Sequence, residues 1–179
     1  MVAGSAKGTR LAPVPAGTRP VADRAREGLF SSLGASVEGA RVLDLFAGTG
    51  AMGIEALSRG AARAVFVDSS PGAAKVIREN LRRTKLASRG TVRRVDVRKA
   101  LRQQLGQFDL ILVDPPYRLP PAELDAVMAE LAGQGVVAGG GRVVLTREKG
   151  SYTPVIPLHW PEVKRLSYGD SVVLVFQTP

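Results

Sequence analysis

Asp114-Pro115-Pro116-Tyr117 is the stretch of this chain whose residue types speak most directly of chemistry. It follows the run Phe108-Asp109-Leu110-Ile111-Leu112-Val113, which reads as a buried strand, so the tetrapeptide stands at a strand's carboxyl end. Two prolines stiffen the backbone there and remove two amide donors. What remains is a pair of acceptors, the Asp114 carboxylate and the Pro115 carbonyl. An amine on a conjugated base is a weak nucleophile, because its lone pair is delocalised into the ring. Two acceptors can take its two N–H groups, favour the pyramidal nitrogen and stabilise the positive charge that grows as it attacks. Tyr117 adds a ring face on which a base can stack. Asp114, Pro115, Pro116 and Tyr117 are therefore the candidate catalytic residues.

A second constellation lies upstream, in Asp44-Leu45-Phe46-Ala47-Gly48-Thr49-Gly50-Ala51-Met52-Gly53. It contains G-x-G-x-x-G between a short apolar run and a helical stretch, with the acid Asp68 at the end of the next predicted strand. Glycines let the backbone approach a ligand closely, and an acid at Asp68 can accept from both hydroxyls of a ribose. The pattern points to a cofactor that contains adenosine. In a dinucleotide enzyme the helix start would receive a pyrophosphate. Asp44 argues against that anion and for a cationic ligand such as S-adenosylmethionine. Gly53 alone is as readily explained by helix–sheet packing.

The elements that must position these groups follow from pattern. Residues 1–20 are rich in Gly and Pro and read as an extended arm or small hairpin; residues 21–179 form the main domain. A helix is predicted over 20–33, a strand over 41–46, a helix over 51–59, a strand over 63–67 and a helix over 71–85. A strand over 91–95, a short helix over 99–104, the strand 108–113, a helix over 121–131 and a strand over 141–146 follow. Alternating strands and helices with short links imply a parallel sheet covered on both faces. The last two predicted strands, 162–167 and 171–177, flank Tyr168-Gly169-Asp170, a link too tight for anything but an antiparallel pair. The expected architecture is thus α/β, a mainly parallel sheet ending in an antiparallel hairpin. Ligands of such sheets sit at the strands' carboxyl ends.

Composition narrows the chemistry. With no cysteine and one histidine, His159, cysteine nucleophiles, thiolate zinc sites and iron–sulfur clusters are excluded, and no metal is expected. No apolar run approaches the ~18 residues of a membrane span, and residues 1–12 lack a secretory apolar region; a soluble, cytoplasmic protein is expected. The net charge is +9. Between residues 75 and 102 eleven Lys/Arg stand against Glu79 and Asp96, so this segment carries an excess equal to the whole. A concentrated basic stripe suits a polyanion, above all nucleic acid.

The tetrapeptide after the fourth strand, with the glycine loop after the first, resembles the amino-methyltransferases of Rossmann-like, class I fold, which act on exocyclic amines of bases or on a protein glutamine. Further residues tighten the resemblance. Ala3-Gly4, Lys7-Gly8, Leu11 and Pro15, then Thr18-Arg19-Pro20 through Asp23-Arg24-Ala25-Arg26-Glu27, then Asp44-Leu45-Phe46-Ala47-Gly48-Thr49-Gly50, Glu55-Ala56-Leu57-Ser58-Arg59-Gly60 and Tyr168-Gly169-Asp170 are similar to the RsmD family. The resemblance spans essentially the whole chain. It departs at Val21 and Ala22, where family members usually carry threonines.

The family's implied activity is methylation of guanine N2 in small-subunit (16S) ribosomal RNA, with S-adenosylmethionine as donor. It implies a cofactor site made by Asp44, Phe46, Ala47, Gly48, Gly50 and Asp114, with Asp68 and Ser69 at the ribose and Asp96 and Val97 at the adenine. Lys7, Arg10, Arg19, Arg24 and Arg26 would meet RNA phosphate, unless part of 23–27 lines the methionine end instead. The expected substrate is rRNA in an assembled or assembling small subunit, and the expected state is a monomer. Three other readings compete. A nicotinamide oxidoreductase leaves the tetrapeptide unexplained. A non-enzymatic RNA-binding protein leaves Asp68, Asp114 and Tyr117 without a role. Methylation of DNA or of a protein glutamine shares the tetrapeptide.

Overall fold

The computed structural model describes residues 1–13, 23–103 and 105–179. Seven strands form one sheet: β1 (Arg41–Leu45), β2 (Arg63–Asp68), β3 (Gly90–Arg94), β4 (Phe108–Val113), β5 (Val137–Glu148), β6 (Glu162–Tyr168) and β7 (Ser171–Gln177). Their order is β3-β2-β1-β4-β5-β7-β6. The first five pair in parallel, and β7 runs antiparallel to both β5 and β6, as the tight Tyr168–Ser171 link requires. Among the described residues, α1 (Asp23–Leu33) precedes the sheet and four α-helices connect its strands: α2 (Ala51–Ser58), α3 (Pro71–Arg83), α4 (Val97–Leu101) and α5 (Pro121–Gly133).

Alternation along the strands sorts the core into two layers. Val42, Leu110, Leu112 and Val144 face one side and pack with Leu29, Phe30, Ile54, Leu57 and Ile77 of α1, α2 and α3. Leu43, Leu45, Ile111, Val113, Val143 and Leu145 face the other and pack with Leu101, Leu124, Val127, Met128 and Leu131 of α4 and α5. β1 and β4 are neighbours, yet the chain leaves β1 for α2 on one face and leaves β4 for α5 on the opposite face. The two loops diverge and open a crevice at their carboxyl ends, the place where such sheets bind ligands.

Three expectations need correction. The strand predicted from 141 begins at Val137: Phe108 pairs with Val137, and the register then shifts before Leu110 pairs with Arg142. Glycines 139–141, with Gly140 at φ +69°, absorb that shift and hide the strand from a side-chain pattern. The short helix begins at Val97 rather than 99, because the Asp96 carboxylate caps it by accepting from Lys99 N at 3.0 Å. Residues 1–13 form no hairpin strand. A 3₁₀ turn at Gly4–Ala6 closes them into a loop, held by the Met1 ammonium on the Thr9 carbonyl at 2.6 Å and fastened to α2 and α3. The described part of the arm is thus welded onto the domain. Val21 and Ala22 lie outside the described residues.

Candidate active site

The glycine loop is set by the backbone around it. Ala47 N donates to the Val67 carbonyl at 3.1 Å and Gly50 N to the Ala47 carbonyl at 2.7 Å. Gly50, at φ +77°, opens α2, a conformation that favours glycine. Phe46 adopts φ +58° without being glycine, a local strain of the kind that clusters at functional sites. Gly53 serves packing: a Cβ there would lie 2.4 Å from Phe66 Cε1 and 2.9 Å from Asp44 Oδ2.

Three carboxylates converge on this loop. Asp44, on β1, is 1% exposed and accepts from Gly53 N at 2.9 Å. Burial pushes its carboxyl well above the usual range; the Gly53 amide opposes this, and the charges of Asp114 and Asp68 add to it. Asp68, ending β2, accepts from Gly48 N and Ser70 N, both at 2.9 Å. It thereby ties the loop to the start of α3, where Ser70 caps the helix ahead of Pro71. Asp114 follows β4, and its own N–H reaches the Leu45 carbonyl at 3.4 Å. Among the described residues its carboxylate has no hydrogen bond or ion pair, which leaves its oxygens available to a ligand. Burial raises its pKa to about 7, with Arg147 pulling it down.

This donor set answers what the site can hold. A buried Asp44 whose carboxyl is pushed up further by the charges of Asp114 and Asp68 marks a site that disfavours a pyrophosphate and favours a positive charge. S-adenosylmethionine fits, since it brings a sulfonium and an ammonium together with a ribose diol for Asp68. Val97 is buried and Ser69 and Asp96 are exposed beside that loop system; Asp96 also has the capping duty noted above. Pro115 is buried, Pro116 is exposed, and Tyr117 is 41% exposed, so its ring is open to a partner.

The candidate RNA residues separate. Lys7, Arg10 and Arg24 are exposed, and Arg19 lies outside the described residues. Arg26 departs from the expectation of a surface cation: its side chain is 6% exposed, 2.6 Å from Asp23 and 3.7 Å from Glu55. It is an internal strut, because the acid it faces is buried with it. Tyr168 ends β6 and pairs with Ser171 across the Gly169-Asp170 turn, and it also docks α1: a Cβ on Gly28 would fall 1.7 Å from the Tyr168 hydroxyl. Trp160 is core, and His159 is exposed against its edge. Two residues escaped the sequence reading. Glu55 is the hub under α2. Arg147, at the end of β5, is a buried cation whose field reaches Asp114 and Tyr117; a polar residue closing an apolar strand reads as surface.

Asp68→Ala should weaken S-adenosylmethionine binding by at least about 30-fold, because charge-assisted hydrogen bonds contribute about 1.5–3 kcal/mol each. Calorimetric titration checks this; unchanged affinity would remove Asp68 from the ribose site.

Known proteins resemble the chain over its full length. The family described as conserved hypothetical protein 95 matches residues 1–177. The Escherichia coli K12 protein named ribosomal RNA small subunit methyltransferase D is 33% identical over 162 residues, covering 89% of this chain and 80% of that protein. Among solved structures, yhhF from Escherichia coli superposes with a TM-score of 0.87 at 31% identity, covering 99% of this chain and 96% of the other. A hypothetical protein of Thermus thermophilus gives 0.82 at 35% identity, covering 97% and 96%. A family match over residues 1–177, with relatives about one-third identical over most of the chain, shows that the chain belongs to the RsmD family of ribosomal RNA methyltransferases.

Proposed function

We propose that the protein transfers a methyl group from S-adenosylmethionine to the exocyclic N2 of a guanine in small-subunit (16S) ribosomal RNA. The observation that carries this reading is Asp114: an unpaired, half-buried carboxylate at the crevice, beside the Pro115 carbonyl and an open Tyr117 ring. Asp68 and Ser69 would hold the ribose, Asp96 and Val97 the adenine, and Asp44, Phe46, Ala47, Gly48 and Gly50 the methionine end. When bound, S-adenosylmethionine would supply an electrophilic methyl carbon, its bond to sulfur breaking as the carbon–nitrogen bond forms and the sulfur leaving as a neutral thioether. Asp114 and the Pro115 carbonyl accept the two N–H bonds of the target amine while Tyr117 stacks the base, so most of the acceleration is orientation. As the nitrogen gains its new carbon it becomes positive, and its surplus proton passes to an Asp114 oxygen. A carboxylate titrating near 7 suits that transfer.

The charge distribution supports RNA as the partner. Arg83 pairs with Glu79, and Arg98 and Arg102 pair with Glu123 and Glu130. Among the described residues Arg78 and Arg82 donate only to backbone carbonyls, and they line a cleft of about 380 Å³ against the outermost strand β3. Charged side chains also protect an edge strand, so the two roles need separation. Arg78→Ala with Arg82→Ala should raise KM for the RNA substrate several-fold with kcat held. The salt slope of log affinity should become shallower by about 1.4, at ~0.7 per single-strand phosphate contact. An unchanged slope would leave edge protection as their role.

We further infer an assembled or assembling subunit as substrate, a single small domain being suited to a splayed base in a folded context, with the protein acting as a cytoplasmic monomer. No helix among the described residues is long and apolar enough to cross a membrane. The test is a transfer assay with labelled S-adenosylmethionine on small subunits from a strain lacking the gene, followed by nucleoside analysis. Labelled N2-methylguanosine at one site is expected. Label in protein or in another nucleoside, or equal activity on naked RNA, would overturn the corresponding part.

A further inference from the structure

β4 and β5 run side by side, and their last matched residues are Val113 and Leu145. Two positions beyond that pair stand Pro115 and Arg147. Arg147 is 5% exposed, an unusual place for an arginine. Its Nε donates to the Tyr152 carbonyl at 3.1 Å. Its Nη1 is buried and has no hydrogen-bond partner. A buried guanidinium N–H left unpaired is costly, and groups of this kind persist where a ligand completes them.

Asp114 does not complete it. No ion pair within 4 Å joins the two among the described residues, yet each lies within the other's field, as does Tyr117. The carboxyl end of β4 thus carries the proposed amine holder, and the adjacent end of β5 carries an unused donor. Guanine presents three groups in a row along its Watson–Crick edge: the 2-amine, the N1–H and the O6 carbonyl. With the 2-amine on Asp114, the O6 acceptor stands at the far end of that edge and requires a donor. Adenine carries an amino group there, which would face Arg147 donor to donor.

We propose that Arg147 donates from Nη1 to the O6 carbonyl of the target base and thereby makes the site select guanine. The inference rests on the guanine-N2 reading above. A backbone phosphate would be the other acceptor for a guanidinium, but phosphate stays at the surface while Nη1 belongs to a buried side chain on the strand next to that of the amine holder. Arg147 is a specificity residue: it discriminates between bases by leaving a buried donor unpaired when the wrong one enters.

The test uses small subunits reconstituted with rRNA bearing either guanosine or 2-aminopurine riboside at the target position. The analogue keeps the 2-amine but lacks both O6 and the N1 hydrogen, so the part of the discrimination due to O6 is the part that Arg147→Met abolishes. The wild-type protein should methylate guanosine with a kcat/KM about 10- to 100-fold higher than the analogue, the effect of one charge-assisted hydrogen bond. Arg147→Met should lose that factor on guanosine alone, bringing the ratio to within about threefold of one, and Arg147→Lys should lie between. Two results overturn the proposal: a wild-type ratio near one, which needs no variant to fold, or an Arg147→Met protein whose rates fall equally on both substrates. The second pattern would assign Arg147 to the Tyr152 loop or to a phosphate. A wild-type protein that labels no guanosine N2 would instead bring down the underlying function, and this inference with it.

Discussion

Asp114→Ala should lower kcat by about 10²–10³-fold, the usual effect of removing one preorganised partner of developing charge, while cofactor affinity changes by less than about threefold. The reason is geometric: the residues proposed for the ribose and adenine end or follow β2 and β3, whereas Asp114 follows β4. Near-normal turnover would refute its role in holding the amine. The pH dependence supplies an independent check. Burial is the main cause that raises the Asp114 pKa to about 7, with Arg147 opposing it. Acceptance of the amine requires the ionised form, so kcat/KM should rise about tenfold per pH unit below 7 and level off above it. Stability moves the other way. The folded-state pKa lies above the ordinary carboxylate value, so between about pH 4 and 7 the folded chain keeps a proton that the unfolded chain releases, and this carboxyl's contribution falls as pH rises through that window. Asp114→Asn removes the effect. Its melting temperature relative to wild type should be higher at pH 8 than at pH 5, corresponding to at most about 3 kcal/mol. A constant difference across that range would place the carboxyl in a solvated setting.

What could be read from the chain follows the range of the interactions involved. The strands up to β4 and the closing hairpin are continuous apolar or alternating runs, and the helices between them have apolar faces, so neighbours a few residues apart suffice. The glycine loop and the Asp114 tetrapeptide are legible for the same reason: turn, cap and acceptor lie within ten residues. The start of β5 was obscured because glycines 139–141 carry no side chains to show a period. Residues 1–13 are held by groups far along the chain. Ala6 N donates to Ser58 Oγ at 2.9 Å, and Ala12 N to Asn80 Oδ1 at 2.7 Å, and no periodicity announces such pairs. Arg26 reads as a cation on a helix near the RNA-facing arm. Only the placement of Glu55 on a neighbouring helix turns it inward. Arg147 is hidden by the same logic, since its meaning depends on what stands at the end of a different strand.

Glu55→Ala should destabilise the fold by about 3–5 kcal/mol, the cost of removing one partner from a buried charged network. Glu55 is 0% exposed. Its Oε2 accepts from Val2 N at 3.0 Å, and its Oε1 accepts from Ala3 N at 3.0 Å and Arg59 Nε at 2.8 Å. Arg26 Nε lies 3.7 Å away. Truncation leaves the Val2 and Ala3 amides and the Arg59 guanidinium without this acceptor, and it removes the buried negative charge beside Arg26, which keeps Asp23. Glu55→Gln keeps the volume but turns an NH₂ toward donors, so it should cost nearly as much; a merely steric role would leave it close to wild type. The loss should concentrate at the N-terminus, because both amides that Glu55 holds belong to it. Denaturant unfolding gives the total, and amide exchange gives the location: residues 2 and 3 should lose protection in Glu55→Gln well before β1 and β4 do. Cofactor affinity should remain within about threefold where the variant is folded, since the glycine loop is fixed by Asp68 and the Val67 carbonyl rather than by Glu55. A destabilisation below about 1 kcal/mol would mean that the desolvation of this carboxylate cancels its bonds, and that the segment is held by packing of Met1, Ala6 and Leu11 against the core instead.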